Sequence, residues 1–89
     1  MRIVVVWRDN TDYAREVIDF LREFKRRTGK DIESLDPDSR EGENFARTYD
    51  IMQYPTIIAV SNNMGMEQKR WSGKPLPLID EVNFYAMGE

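Results

Sequence analysis

Met52-Gln53-Tyr54-Pro55-Thr56-Ile57-Ile58-Ala59-Val60 is the stretch on which the fold turns. A short mixed lead-in stops at a proline, and an apolar, mostly β-branched run begins there. Proline has no N–H, so it suits the first residue of a strand and not its interior. Thr56 to Val60 therefore read as a buried strand, apolar on both faces. The residue before the proline is aromatic, and X-Pro bonds are the common place for a cis peptide, although trans is the commoner form. These residues alone leave two readings open: a tight cis turn feeding a central strand, or an ordinary trans proline at a strand start.

Upstream, Arg2-Ile3-Val4-Val5-Val6-Trp7 is a second apolar run and the first strand. Arg8-Asp9-Asn10 is a polar loop, after which Thr11 or Asp12 is placed to cap a helix. Ala14, Val17, Ile18 and Leu21 then recur at the spacing of one helical face, with Phe24 close behind. Lys25, Arg26 and Arg27 suit the last turn, and Gly29 suits the residue just beyond it. The basic run here reads as a solvated helix end, because Asp19 and Glu23 are interspersed with it. Asp31 to Leu35 alternates as a short strand. Asp38 with Glu41 has the spacing of a capping box for a second helix, which carries Phe45, Ala46 and Tyr49. Gly42 inside that helix carries a propensity cost of about 1 kcal/mol against alanine.

Downstream, Ser61-Asn62-Asn63-Met64-Gly65 is a turn, and Met66 to Trp71 is the return strand of a hairpin. Glu67, Lys69 and Arg70 mark that strand as an exposed edge. Pro77 suits the first turn of a last helix that carries Leu78, Val82, Tyr85 and Ala86.

Eighty-nine residues make one small domain, residues 1–89. The net charge of −3 argues against a nucleic-acid or membrane-surface binder. The chain contains no cysteine and no histidine. Disulfides, thiolate chemistry, imidazole-built zinc sites and Ser-His catalysis are thereby excluded, and no metal or cofactor is expected. The apolar N-terminal run is too short for a signal peptide or a membrane span, and a cytoplasmic location is the expectation.

The element order is β-α-β-α-β-β-α. The first βαβ unit gives parallel strands with a right-handed crossover. The continuously apolar first and third strands should be central and the more polar second and fourth at the edges, an order of 2-1-3-4. The third is expected as a buried parallel strand. The first and third helices should cover one face and the second helix the other.

At this point the chain resembles the thioredoxin superfamily in its short, glutaredoxin-like form. The resemblance is carried by Val4-Val5-Val6-Trp7-Arg8-Asp9-Asn10-Thr11-Asp12-Tyr13-Ala14, by Tyr49-Asp50-Ile51-Met52-Gln53-Tyr54-Pro55-Thr56, and by Gly73 ahead of the last helix. It implies a thioredoxin-like α/β fold, a four-stranded mixed sheet with helices on both faces, and a cis Pro55 facing the start of the first helix. It also exposes a departure. Where glutaredoxins carry Cys-Pro-Tyr-Cys, this chain reads Thr11-Asp12-Tyr13-Ala14. Disulfide exchange needs a thiolate, and a threonine hydroxyl without a base does not replace one.

The expected function is accordingly a non-catalytic binding or adaptor module. In the superfamily the loop before the cis-proline pairs with an extended substrate strand, and such a groove can outlive the cysteines. Its residues here would be Trp7, Thr11, Asp12, Tyr13, Gln53, Tyr54, Pro55 and Trp71, with a protein or extended peptide as partner. A scaffold or assembly role through the Met66–Trp71 edge is one alternative. A glutathione-dependent enzyme using the hydroxyl of Thr11 or Tyr13 is another. Against it, Trp71-Ser72-Gly73-Lys74-Pro75-Leu76 offers no acid at the place where glutaredoxins hold the γ-glutamyl amine.

Overall fold

A computed structural model describes residues 1–88. Seven elements follow in order: β1 (Arg2–Val6), α1 (Ala14–Thr28), β2 (Glu33–Leu35), α2 (Arg40–Thr48), β3 (Thr56–Val60), β4 (Glu67–Ser72) and α3 (Ile79–Ala86). The strands form one sheet of order β2-β1-β3-β4. The two apolar strands are central because both of their faces are covered; every residue of β3 and all but Arg2 of β1 are buried.

Each face of the sheet has its own core. On one, Ile3, Val5, Ile57 and Ala59 meet Val17 and Phe24 of α1 and Val82 of α3. On the other, Val4, Val6, Ile58 and Val60 meet Phe45 and Ala46 of α2. The period-two alternation of side chains across β1 and β3 makes this division.

Several local expectations give way. β1 and β2 are parallel, but β3 runs antiparallel to β1, with Val6 opposite Thr56. The cause lies between α2 and β3. Asp50 adopts a left-handed φ of 56°, and residues 49–55 carry the chain back to the end where β1 finishes. β3 then has to run against β1. Neither Thr11 nor Asp12 caps α1: Tyr13 is its boundary residue and no side chain caps the helix. The Thr11 hydroxyl donates instead to the Arg8 carbonyl, at 2.9 Å. Ser39, not Asp38, caps α2, accepting from the Gly42 N–H at 3.0 Å. Pro77 lies outside α3, whose start is closed by the Glu81 carboxylate accepting from the Leu78 N–H at 3.0 Å. Strand limits also shift: β1 ends at Val6 and β2 begins at Glu33, while β4 spans Glu67–Ser72 and its register with β3 slips between Ala59 and Val60.

The basic end of α1 is neutralised by ion pairs. Lys25 bonds Asp31 at 3.0 Å, Arg26 pairs with Glu23, and Arg27 reaches Asp80 at 3.4 Å. Such exposed pairs contribute little to stability, and they leave no single-sign patch. Among the described residues, no helix is long and apolar enough to cross a membrane.

Candidate functional site

The strand register gathers four chain segments at one end of the sheet. The C-terminal ends of β1 and β4 lie beside the start of β3, because Val6 pairs with Thr56 and Thr56 with Ser72. β2 finishes there as well, with Val6 opposite Leu35. The loop before α1, the turn before α2, the Tyr54–Pro55 turn and the Gly73 loop therefore share one rim.

The Tyr54–Pro55 bond in this rim is cis. The Thr56 hydroxyl donates to the Gln53 carbonyl at 2.5 Å, and the Pro55 carbonyl accepts from the Gly73 N–H at 2.7 Å. Gly73 sits at φ 70°, and a Cβ there would lie 2.3 Å from Gln53 Nε2. Glycine allows both the left-handed backbone and the close approach of Gln53. A second tie crosses to α1, where Lys74 Nζ meets Glu16 at 3.0 Å.

Arg8 joins the two sides of the rim, and nothing in the sequence reading singled it out. Its backbone N–H donates to the Tyr13 hydroxyl at 3.0 Å. Its guanidinium lies 4.9 Å over the Tyr54 ring and forms two hydrogen bonds to the Asp38 carboxylate, at 2.9 and 3.1 Å. The start of α1 is held by the Arg8 backbone, and the turn before α2 and the residue preceding Pro55 by its side chain, so that one residue joins all three. A basic residue just past a strand is too common a pattern to mark it; the signal exists only once Asp38 and Tyr54 meet in space.

The hydrogen bond from Arg8 holds the Asp38 carboxyl below its ordinary range, against the opposing effect of desolvation. A carboxyl depressed in the folded state stabilises fully above its unfolded pKa and loses that contribution as the pH falls through the lowered value. The stability difference between wild type and Asp38→Asn should therefore be present at neutral pH and close as the pH drops below about 3.9. Urea midpoints measured against pH check this; a difference that persists unchanged into strong acid would assign it to another cause.

The remaining residues expected in the groove divide. Tyr13 and Tyr54 are half-buried on opposite faces of the sheet, linked through Arg8. Thr11 is turned to the loop backbone, and Asp12 is exposed. Trp7 points toward β2, where its indole N–H donates to the Ser34 hydroxyl; it lines a cavity of about 180 Å³ with Asp9, Leu35 and Asp36. Trp71 packs edge-on against Tyr85 of α3, with ring centroids 5.6 Å apart, and Lys69 Nζ lies 5.9 Å from its ring. Both tryptophans lean on the α1/α3 core.

Among solved structures, the chain is similar to thioredoxin 1 from the thermophilic eubacterium Thermosipho africanus TCF52B. The TM-score is 0.67 at 20% identity, covering 97% of this chain and 90% of that one. The fold is thioredoxin-like. It is also similar to a malarial protein, with a TM-score of 0.65 at 17% identity over 94% of this chain and 90% of that one. No protein-family model matches the chain, and no curated protein matches it. The thioredoxin-like fold here is cysteine-free throughout its sequence.

Proposed function

We propose that this protein is a non-catalytic binding module that takes an extended segment of a protein partner at the rim between the start of α1 and the Tyr54–Pro55 turn. The observation that carries the reading is the backbone of Tyr54. Its N–H and C=O make no hydrogen bond within the described residues, although the residue is half-buried and its neighbours Gln53 and Pro55 are both bonded. A free donor and acceptor on one residue at the end of a sheet can pair with an incoming extended chain, as in strand addition. The Tyr54 ring, fixed under Arg8, and the Tyr13 ring give that segment rigid aromatic surface. A chain without cysteine or histidine has neither a thiolate nor an imidazole base to offer.

An assembly role through the β4 edge has less support. The register of β3 and β4 slips around Gln68, and Lys69 and Arg70 follow the slip; bulges and charges of this kind obstruct edge-to-edge pairing.

The test is a titration of isotope-labelled protein with a pool of extended peptides, followed by amide NMR. Shifts concentrated at Arg8, Tyr13, Gln53 and Tyr54 are expected. If no peptide moves the Tyr54 amide at about 1 mM, the weak end of specific affinity, the binding reading is overturned.

A further inference from the structure

On the β2 side of the rim, a cavity of about 180 Å³ opens beside Trp7. Its size bounds the occupant. Sites for drug-sized ligands run to about 300–1,000 Å³, so this one holds a single side chain or a fragment of that size. Its lining bounds the chemistry. Leu35 is buried and Trp7 half-buried, and the indole is fixed because its N–H donates to the Ser34 hydroxyl. Ser34, Asp9 and Asp36 bring oxygen acceptors to the same cavity. Neither carboxylate is in an ion pair among the described residues. The Asp9 side chain makes no bond there, and Asp36 uses one oxygen, Oδ1, to accept from the Asp38 N–H at 2.9 Å. Arg8, the cation between Trp7 and Asp9 in the chain, gives its guanidinium to Asp38.

We infer that, on the reading of Tyr54 as the pairing point of an extended segment, this cavity takes a lysine or arginine side chain of that segment. Such side chains join an apolar stem to a charged head. The stem suits Leu35 and the indole, and an indole face also attracts a cation. The head suits two carboxylates that no cation of the chain occupies. A metal ion fits less well. Two carboxylates and a hydroxyl fall short of the roughly six to eight oxygens that calcium takes, and no group of three or more potential metal ligands occurs among the described residues. The two sites are within reach of one segment. Val6 stands between Leu35 and Thr56 in the sheet, so the cavity and the Tyr54 turn are two strand spacings apart, roughly 10 Å. About three residues of extended chain cover that distance.

The probes are acetylated, amidated threonine/alanine hexapeptides that differ at one position: lysine, arginine, norleucine or glutamate. Butylammonium chloride serves as the free cation. NMR of isotope-labelled protein reads the Trp7 indole N–H and the backbone amides together. The lysine and arginine peptides are expected to move the Trp7 indole and the Asp9 and Asp36 amides along with the Tyr54 amide. They should bind about tenfold tighter than the norleucine peptide, a gain of the size that one cation–π contact and two exposed ion pairs supply. Added salt should shrink that preference. The variant Asp9→Asn/Asp36→Asn should abolish it, while the norleucine peptide still moves Tyr54. Asparagine keeps an acceptor for the Asp38 N–H, and urea unfolding establishes that the variant is folded. Equal binding of the lysine and norleucine peptides, both moving Tyr54, would overturn the cavity's role and leave the rim reading standing. A lysine preference that survives in the double variant would also overturn it. If the lysine peptide or butylammonium moves Trp7 while no peptide moves Tyr54, the rim reading falls, and with it the bound segment as the source of the cation.

Discussion

Replacing Gly42 by alanine is expected to destabilise the protein by about 2 kcal/mol, although alanine is the better helix former by about 1 kcal/mol. Gly42 lies in the first turn of α2, where its N–H bonds the Ser39 hydroxyl. The turn before the helix folds back over it. A Cβ on Gly42 would stand 1.8 Å from the Asp36 carbonyl oxygen and 2.5 Å from its carbonyl carbon. Both are backbone atoms, and the Asp36 carbonyl is held in place by the Ser39 N–H and hydroxyl. Relief requires the turn to open, which would also loosen the neighbouring Asp38 and its bonds to Arg8. In a domain of this size such a loss lowers the melting temperature by roughly 8–16 °C. Thermal and urea unfolding of Gly42→Ala measure it. A stability equal to or above wild type would mean that propensity outweighs the close approach.

Phe24→Ala should have the largest effect, about 3–5 kcal/mol. Phe24 is 1% exposed and is the largest fully buried side chain, standing where α1 meets the sheet. Natural domains have total stabilities of about 5–15 kcal/mol, and small ones bury the least surface. The variant should therefore be largely unfolded in modest urea. Phe84 is the matched control: the same residue type, 71% exposed. Phe84→Ala should stay within about 0.5 kcal/mol of wild type. If the two variants unfold together, burial is not what sets the cost.

The sequence by itself determined the element order, the central place of the Arg2–Val6 and Thr56–Val60 runs, and the face on which each helix packs. Those features follow from hydrophobic period and from the presence or absence of charge, which act within a few residues and survive any arrangement of the rest. It also determined that the chain has no thiol chemistry of its own, since composition alone decides that. Tertiary structure decided the rest. The direction of β3 depends on whether the chain after α2 returns along the sheet before pairing, and the left-handed Asp50 that begins the return carries no glycine signal. The cap of α2 passed from Asp38 to Ser39, and the Asp38 carboxylate meets a guanidinium from thirty residues away. Gly42 reads as a helix weakness until the Asp36 carbonyl comes to rest against it. Trp7 and Trp71 are attractive groove aromatics in one dimension, but in three each finds a nearer partner, Ser34 and Tyr85. Local pattern marks most of the buried residues, although Ile18 and Leu78, both at apolar helical spacing, are 39% and 71% exposed. Which polar groups meet is a property of segments distant in sequence, and Arg8, whose partners come from two other turns, became visible only when the sheet brought them to one rim.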